Sequence, residues 1–253
     1  MDENNALVSV VIPVYNGAAF LAEAIECVTA QGYQPLELLV IDDGSTDSTA
    51  DVAARYSSEV VYAHQSNAGP AAARNRGIDL AKGEMLAFLD VDDLWSEDKL
   101  RLQTAYLKAN PNVDIVQGHI QRVQLAEKRS GGRRPSEAAS APYRYVNIGS
   151  ALFRRSVFDA VGLFDETLRD SEDVDWFIRA WENNVSKVVL ESVTLFYRRH
   201  DRNITDRQNP INYGLTKLVK RHLDRRRSPA LGSKMAPGLP GVVNYLGNPP
   251  EDS

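Results

Sequence analysis

Cysteine occurs once in the 253 residues, at Cys27. That excludes an intramolecular disulfide framework and a Cys-rich zinc site, and it suits a reducing compartment. Long hydrophobic runs are also missing. The apolar run Val8–Val14 is short against the ~20 residues needed to cross a bilayer, and no longer apolar run exists. Positive charge is absent where a secretory signal carries it, because MDENNALVSVVIPVYN is acidic at its start. The expected location is the cytoplasm, or the inner face of the cell membrane. Two nucleotide motifs are absent as well. There is no G-x-x-x-x-G-K-[ST] loop, and the first apolar run ends in PVYNG rather than G-x-G-x-x-G. Both absences count against a P-loop enzyme and a dehydrogenase.

What is present is ordinary in bulk. With 43% apolar and 25% charged residues, the chain reads as a soluble globular domain rather than a disordered or fibrous protein. The net charge of −5 hides an asymmetry: ten basic and three acidic residues fall within 198–227, so that segment is +7 and the rest is −12.

The first hundred residues alternate short β-branched runs with helical spacing. The runs are Val8–Val14, Leu36–Ile41, Glu59–Ala63 and Glu84–Leu89. Their near-continuous apolar character predicts strands buried on both faces. Between them, 18–30, 47–56 and 70–81 read as helices, the second with Asp47-Ser48-Thr49 at its start and the third with Pro70. Such alternation predicts an α/β sheet with right-handed crossovers. Further on come a helix over 96–109, a strand near Val113–Val123, mixed strands around Tyr143–Phe153, a helix from Glu172 to Asn184 and one or two strands over Val185–Arg198. Residues 126–142 read as a mobile loop. A basic amphipathic helix is expected over 211–227. The 228–253 stretch, with five of the twelve prolines, reads as a flexible Pro/Gly-rich tail.

Acidic residues gather where strands should end. Asp42-Asp43-Gly44-Ser45 follows the second strand and Asp90-Val91-Asp92-Asp93 the fourth. Ligands of open α/β sheets bind beyond those ends. Asp and Gly there also serve as turn formers and caps. Crowded like charges, though, call for a neutralising partner, and a divalent cation with phosphates is a natural one. A third cluster, Asp170-Ser171-Glu172-Asp173, opens a helix. Acids at that position complement the helix dipole, and a carboxylate fixed there is also placed to take a proton from a hydroxyl. A fourth, Tyr197-Arg198-Arg199-His200, offers a diphosphate clamp and a metal ligand.

In this order the clusters resemble glycosyltransferase family 2 enzymes of GT-A fold. The matching stretches are VSVVIPVYNGAAFLAEAIECV, ELLVIDDGSTDST, NAGPAAARNRGIDLAKGEMLAFLDVDDLW, GSALFRRSVFDAVGLFDETLRDSEDVDWFIRA and YRRHDRNIT, within residues 8–205. The resemblance implies a single GT-A domain over 1–210, with a Rossmann-like, mostly parallel mixed sheet flanked by helices. It implies an inverting transfer of sugar from a nucleotide-diphosphate sugar, a UDP-sugar first among donors, to a glycan or lipid-linked acceptor in cell-surface polysaccharide, lipopolysaccharide or glycolipid synthesis. Pro13, Tyr15, Asp42 and Asp43 then match the nucleoside wall, and Asn67, Gly69, Arg74 and Asn75 the helix beside ribose and diphosphate. Asp90 and Asp92 form the D-x-D motif, with Asp90 near the ribose and Asp92 ligating Mn2+ or Mg2+. Asp173 matches the catalytic base, with Glu172 beside it and Trp176 on the acceptor side. Arg198 and His200 match a segment closing over the diphosphate, His200 with a metal contact. Val91 departs mildly from the commoner small polar residue inside D-x-D.

Two other classes compete. A sugar-nucleotide-forming nucleotidyltransferase needs a Gly-rich basic loop after the first strand, which PVYNG is not. A non-catalytic sugar-nucleotide binder would lack D-x-D or the base, and both are present. The helix over 211–227 either packs on the domain with a solvated basic rim or meets an anionic membrane surface. Nucleic acid is not an expected partner, since aromatics do not interleave the basic residues.

Overall fold

The computed structural model describes residues 5–124, 140–168, 170–199, 218, 220–222, 224–225 and 240–248. Strand β1 (Val8–Val14) is followed by helix α1 (Leu21–Thr29), β2 (Leu36–Asp42), α2 (Thr49–Ala54), β3 (Val61–His64), α3 (Pro70–Leu80) and β4 (Met85–Phe88). This is the predicted alternation, and Pro70 stands at the start of α3 as expected. β1 is buried along its whole length. Val8, Val10, Ile12 and Val14 pack towards α1 and α2, while Val11 packs with Leu39, Ile41, Leu86 and Phe88 towards α3. A strand apolar on both faces needs helices on both faces, and its neighbours supply them. Each large side chain buried this way is worth ~1.5–3 kcal/mol.

The second half completes one sheet. Two-residue β5 (Leu94–Trp95), α4 (Lys99–Ala109), β6 (Ile115–Gln124), β7 (Ala151–Arg154), α5 (Ser156–Val161), α6 (Glu172–Glu182) and β8 (Lys187–Arg199) follow. The order across the sheet is β3-β2-β1-β4-β7-β6-β8-β5. The pairings β1–β2, β1–β4, β2–β3 and β6–β8 are parallel. Those of β4–β7, β6–β7 and β5–β8 are antiparallel. The chain winds outward from β1 to β3, then α3 carries it back to β4 on the other side of β1. The strand order therefore reverses between β1 and β4, and the crevice beyond their carboxyl ends is where such a sheet receives a ligand.

One expectation shifts. Residues 240–246 are helical rather than a flexible tail: α7 (Pro240–Leu246) buries Val242 beside Trp181 and Leu218. Pro240 fits a first helical turn and Gly247, at φ 85°, ends it. Proline and glycine thus bound a short helix whose apolar side docks on α6. The expected helix over 211–227 is described only at six residues, all helical, with Leu218 and His222 buried against the domain. Of the predicted loop over 126–142, residues 126–139 lie outside the described residues, as does His200. Among the described residues no helix is long and apolar enough to cross a membrane.

Candidate active site

The carboxyl ends of β1, β2 and β4 bring three loops to one edge, those after β2 and β4 acidic. The first two loops staple each other. Asn16, at φ 51°, accepts from the Thr46 amide at 2.7 Å through its side chain and donates its own amide to Ser45 Oγ at 2.8 Å. Asp42 accepts from the Ser45 amide at 2.7 Å and from the Tyr62 hydroxyl at 2.6 Å. Burial first, then this bond to the carboxylate, pushes the Tyr62 phenol well above its usual range. Asp43 receives the amides of Ala68 and Gly69 at 2.9 and 2.8 Å and the Gln65 side chain at 2.8 Å. Its carboxylate therefore holds the turn that opens α3, with Asn67 bonded to the Asp43 carbonyl at 2.9 Å. Gly44 and Gly69 take φ of 80° and 97°, where a side chain is disfavoured. Pro13 is buried in β1, whereas Tyr15 just beyond it is 54% exposed, an open aromatic face at this edge.

Arg74 is the centre of the second layer. Rising from α3, its buried guanidinium bonds Asp90 at 2.7 Å on one side and Glu172 on the other. The two carboxylates hold it charged despite burial. Asp173, next to Glu172, is half-buried, and Val174 donates its amide to it at 2.7 Å. Burial raises the Asp173 carboxyl to about 7, and Glu172 adds to that; Arg74 pulls it the other way. Ser171, at φ 59°, turns the chain so that both acids fall in the first turn of α6. The arrangement links a D-x-D aspartate through a single arginine to Glu172, the neighbour of the expected base.

Other expected site residues do different work. Trp176 is not on an acceptor surface. It is fully buried, packed among Phe153, Phe158, Phe164 and Phe177, with its indole N–H on the Gly162 carbonyl at 2.8 Å. Helical spacing puts it on the inner face of α6, three residues from the outward acid. Asn75 is also occupied: it clasps the Phe164 backbone at 2.9 and 3.0 Å and Glu166 at 2.8 Å. Arg198 is not laid over a diphosphate. It is buried beneath the D-x-D loop, bonded to the Asp92 carbonyl and to Glu23 of α1 at 2.6 Å, while its own amide reaches Asp93 at 2.9 Å. Glu23 gives no signal in the sequence, since its partner lies 175 positions away. Asp93 was visible in the DVDD run, but its role was not. Its buried carboxyl is pushed far up by desolvation, then by Asp92 and Asp90.

The sequence pattern described as Glycosyl transferase family 2 matches residues 9–162. The chain belongs to glycosyl transferase family 2. As a family 2 member it is 35% identical over 187 residues to a protein of Rickettsia felis named an uncharacterized glycosyltransferase, which covers 68% of this chain. The chain spans only 31% of that relative's length. The S. aureus TarS structure in complex with UDP-GlcNAc matches with a TM-score of 0.68 at 21% identity, covering 88% of this chain and 67% of that one. The mannosyltransferase PcManGT from Pyrobaculum calidifontis, in complex with GDP-Man and Mn2+, matches with a TM-score of 0.71 at 18% identity, covering 90% and 67%. These likenesses bear out the expected GT-A α/β fold. The family 2 match ends at residue 162, so α6 and its acids lie beyond it.

Proposed function

We propose that this family 2 protein transfers a sugar from a nucleotide-diphosphate sugar to an acceptor hydroxyl with inversion. The observation that carries the reading is the half-buried Asp173 carboxyl at about 7, tied through Glu172 and Arg74 to Asp90. A carboxylate so tuned takes a proton near neutral pH far better than an ordinary aspartate. Asp173 removes the acceptor proton as that oxygen attacks the anomeric carbon from the face opposite the diphosphate. The bond from the anomeric carbon to the diphosphate breaks, and its electron pair leaves on the diphosphate. One displacement inverts the centre, and nothing is attached to the protein.

A divalent cation suits the D-x-D loop. The crowding of Asp90, Asp92 and Asp93 is itself a cause of the raised Asp93 carboxyl, and Asp90 and Asp92 offer hard oxygen donors. Among the described residues no three His, Cys, Asp or Glu side chains converge into a cage. That fits Mn2+ or Mg2+ held by one carboxylate together with substrate phosphates. Asp92 is the residue assigned to hold it, and when bound it offsets charge on the leaving diphosphate. The exposed Tyr15 face and the Asp42–Tyr62 pair are assigned to the nucleoside. UDP-GlcNAc and GDP-mannose, seen in the two structural relatives, are the first donors to test.

The test is a pair of variants. Asp92→Ala should lose Mn2+-dependent nucleotide binding in calorimetry. Asp173→Asn should keep that binding and lose transfer by about 10²-fold or more. Normal transfer by Asp173→Asn would sink the base assignment.

A further inference from the structure

The basic segment near residue 220 is not used by the proposed reaction, and Leu218, Arg221, His222 and Arg225 of it face the domain, while Lys220 and Asp224 are exposed. Arg221 bonds Asp165 and donates to the Thr167 hydroxyl at 2.9 Å. His222 is buried against the Glu182 carboxylate. Arg225 reaches the same Glu182 at 2.9 Å and Asp175 at 3.2 Å. Asp175 in turn holds Arg179 at 2.8 Å, whose remaining guanidinium N–H groups bond the carbonyls of Val161 and Leu163 at 2.9 and 2.8 Å. Leu218 closes the apolar side against Leu168, Ile178 and Trp181.

These contacts converge on two things: the loop 161–167 that leads into α6, and α6 itself. Asn75 grips the same loop from α3 at Phe164 and Glu166. The entry to the helix that carries Glu172 and Asp173 is thus fastened from the donor side by α3 and from the other side by residues 218–225. Charged groups are spent at both grips, and such bonds fix angle as well as distance. Thr167 and then Arg221 hold the Asp165 carboxyl down to about 2 against the effect of burial, so this grip stays charged throughout the physiological range.

We infer that Leu218, Arg221, His222 and Arg225 act as a brace that positions Asp173 for transfer, the last three as positioning residues rather than a membrane-facing patch. The inference rests on the reading of Asp173 as base. A small displacement of a reacting group costs rate while leaving donor contacts on β1, β2 and α3 untouched.

Arg221 and Asp165 are each about 30% exposed, so their charges can be reversed without burying a new one. In Arg221→Asp, turnover of whichever of UDP-GlcNAc or GDP-mannose is hydrolysed with Mn2+ should fall about tenfold or more, with the donor KM unchanged. Amide hydrogen exchange over residues 172–178 should quicken. The double variant Asp165→Arg with Arg221→Asp should restore both. An unchanged kcat in Arg221→Asp, or unchanged exchange over 172–178, overturns the brace. Exchange needs no donor, so it decides the point if neither sugar nucleotide is turned over. Asp173→Asn reports separately: if that variant transfers sugar normally the base reading falls, while the exchange result still judges the brace.

Discussion

As the proposed base, Asp173 carries two opposed demands. A base for neutral pH needs a raised proton affinity, and burial beside Glu172 provides it. The same burial burdens the fold. With its folded value near 7 and its unfolded value near 4, the ionised side chain weakens the native state. The sign follows: the carboxyl is without cost below about pH 4, and its full cost is present above about pH 7. Asp173→Asn should therefore melt higher than the natural protein at pH 8, by up to about 10 °C, and no higher at pH 4. Equal melting temperatures at pH 8 would show that the carboxyl is not raised. The acids themselves are readable in the chain, because DVDD and SEDVDW are local runs. What Arg74 does is not, since its two partners lie 16 and 98 positions away. Trp176 misleads for a simpler reason. An aromatic beside acids suggests a binding face, but the helix turns it to the core.

At the level of elements, the acidic turns depend on backbone shapes that few residues adopt. Gly44 sits at φ 80°, and a Cβ there would stand 2.8 Å from the Asn67 amide nitrogen. Both the strain and the clash fall on the loop that presents Asp42 and Asp43. Gly44→Ala should lower stability by about 1–3 kcal/mol in urea titration and weaken nucleotide binding with it. A stability equal to the natural protein would mean the loop adapts. β1, β2 and β4 follow from periodicity because parallel strands with two apolar faces leave a strong local pattern; β3, expected to be buried on both faces, lies at the sheet edge and is largely exposed. β5 leaves no such pattern: two residues give no period, and it exists because β8, paired with β6 along one side, offers Leu195 and Phe196 to it along the other. The stretch 240–246 was hidden by its composition. Prolines and glycines mark turns, and only the docking of Val242 on α6 makes the short segment helical.

For the whole molecule, the charge asymmetry of the sequence is resolved partly by internal neutralisation. Arg221 and Arg225 meet Asp165, Asp175 and Glu182 at the back of α6, while the acids at the sheet edge keep their mutual repulsion. A donor carrying phosphates and a cation relieves that repulsion in the folded state alone. Nucleotide sugar with Mn2+ should then raise the melting temperature in proportion to affinity, by about 2.7 kcal/mol of stability at a hundred times Kd. Comparing UDP-GlcNAc with GDP-mannose in that assay names the base preference. No shift with either, with or without Mn2+, would count against donor binding at this edge.

Arg198 ties the D-x-D loop to α1 from a strand made a hundred residues later. During synthesis, the half of the sheet built from β1 to β4 emerges from the ribosome well before that strand does. The acidic loop of the nascent chain has no strut until residue 198 arrives, and Asp173 appears only shortly before it. The proposed donor edge and the proposed base are thus completed together, late in translation. A chain stalled before β8 would hold the family 2 segment and none of its finished chemistry.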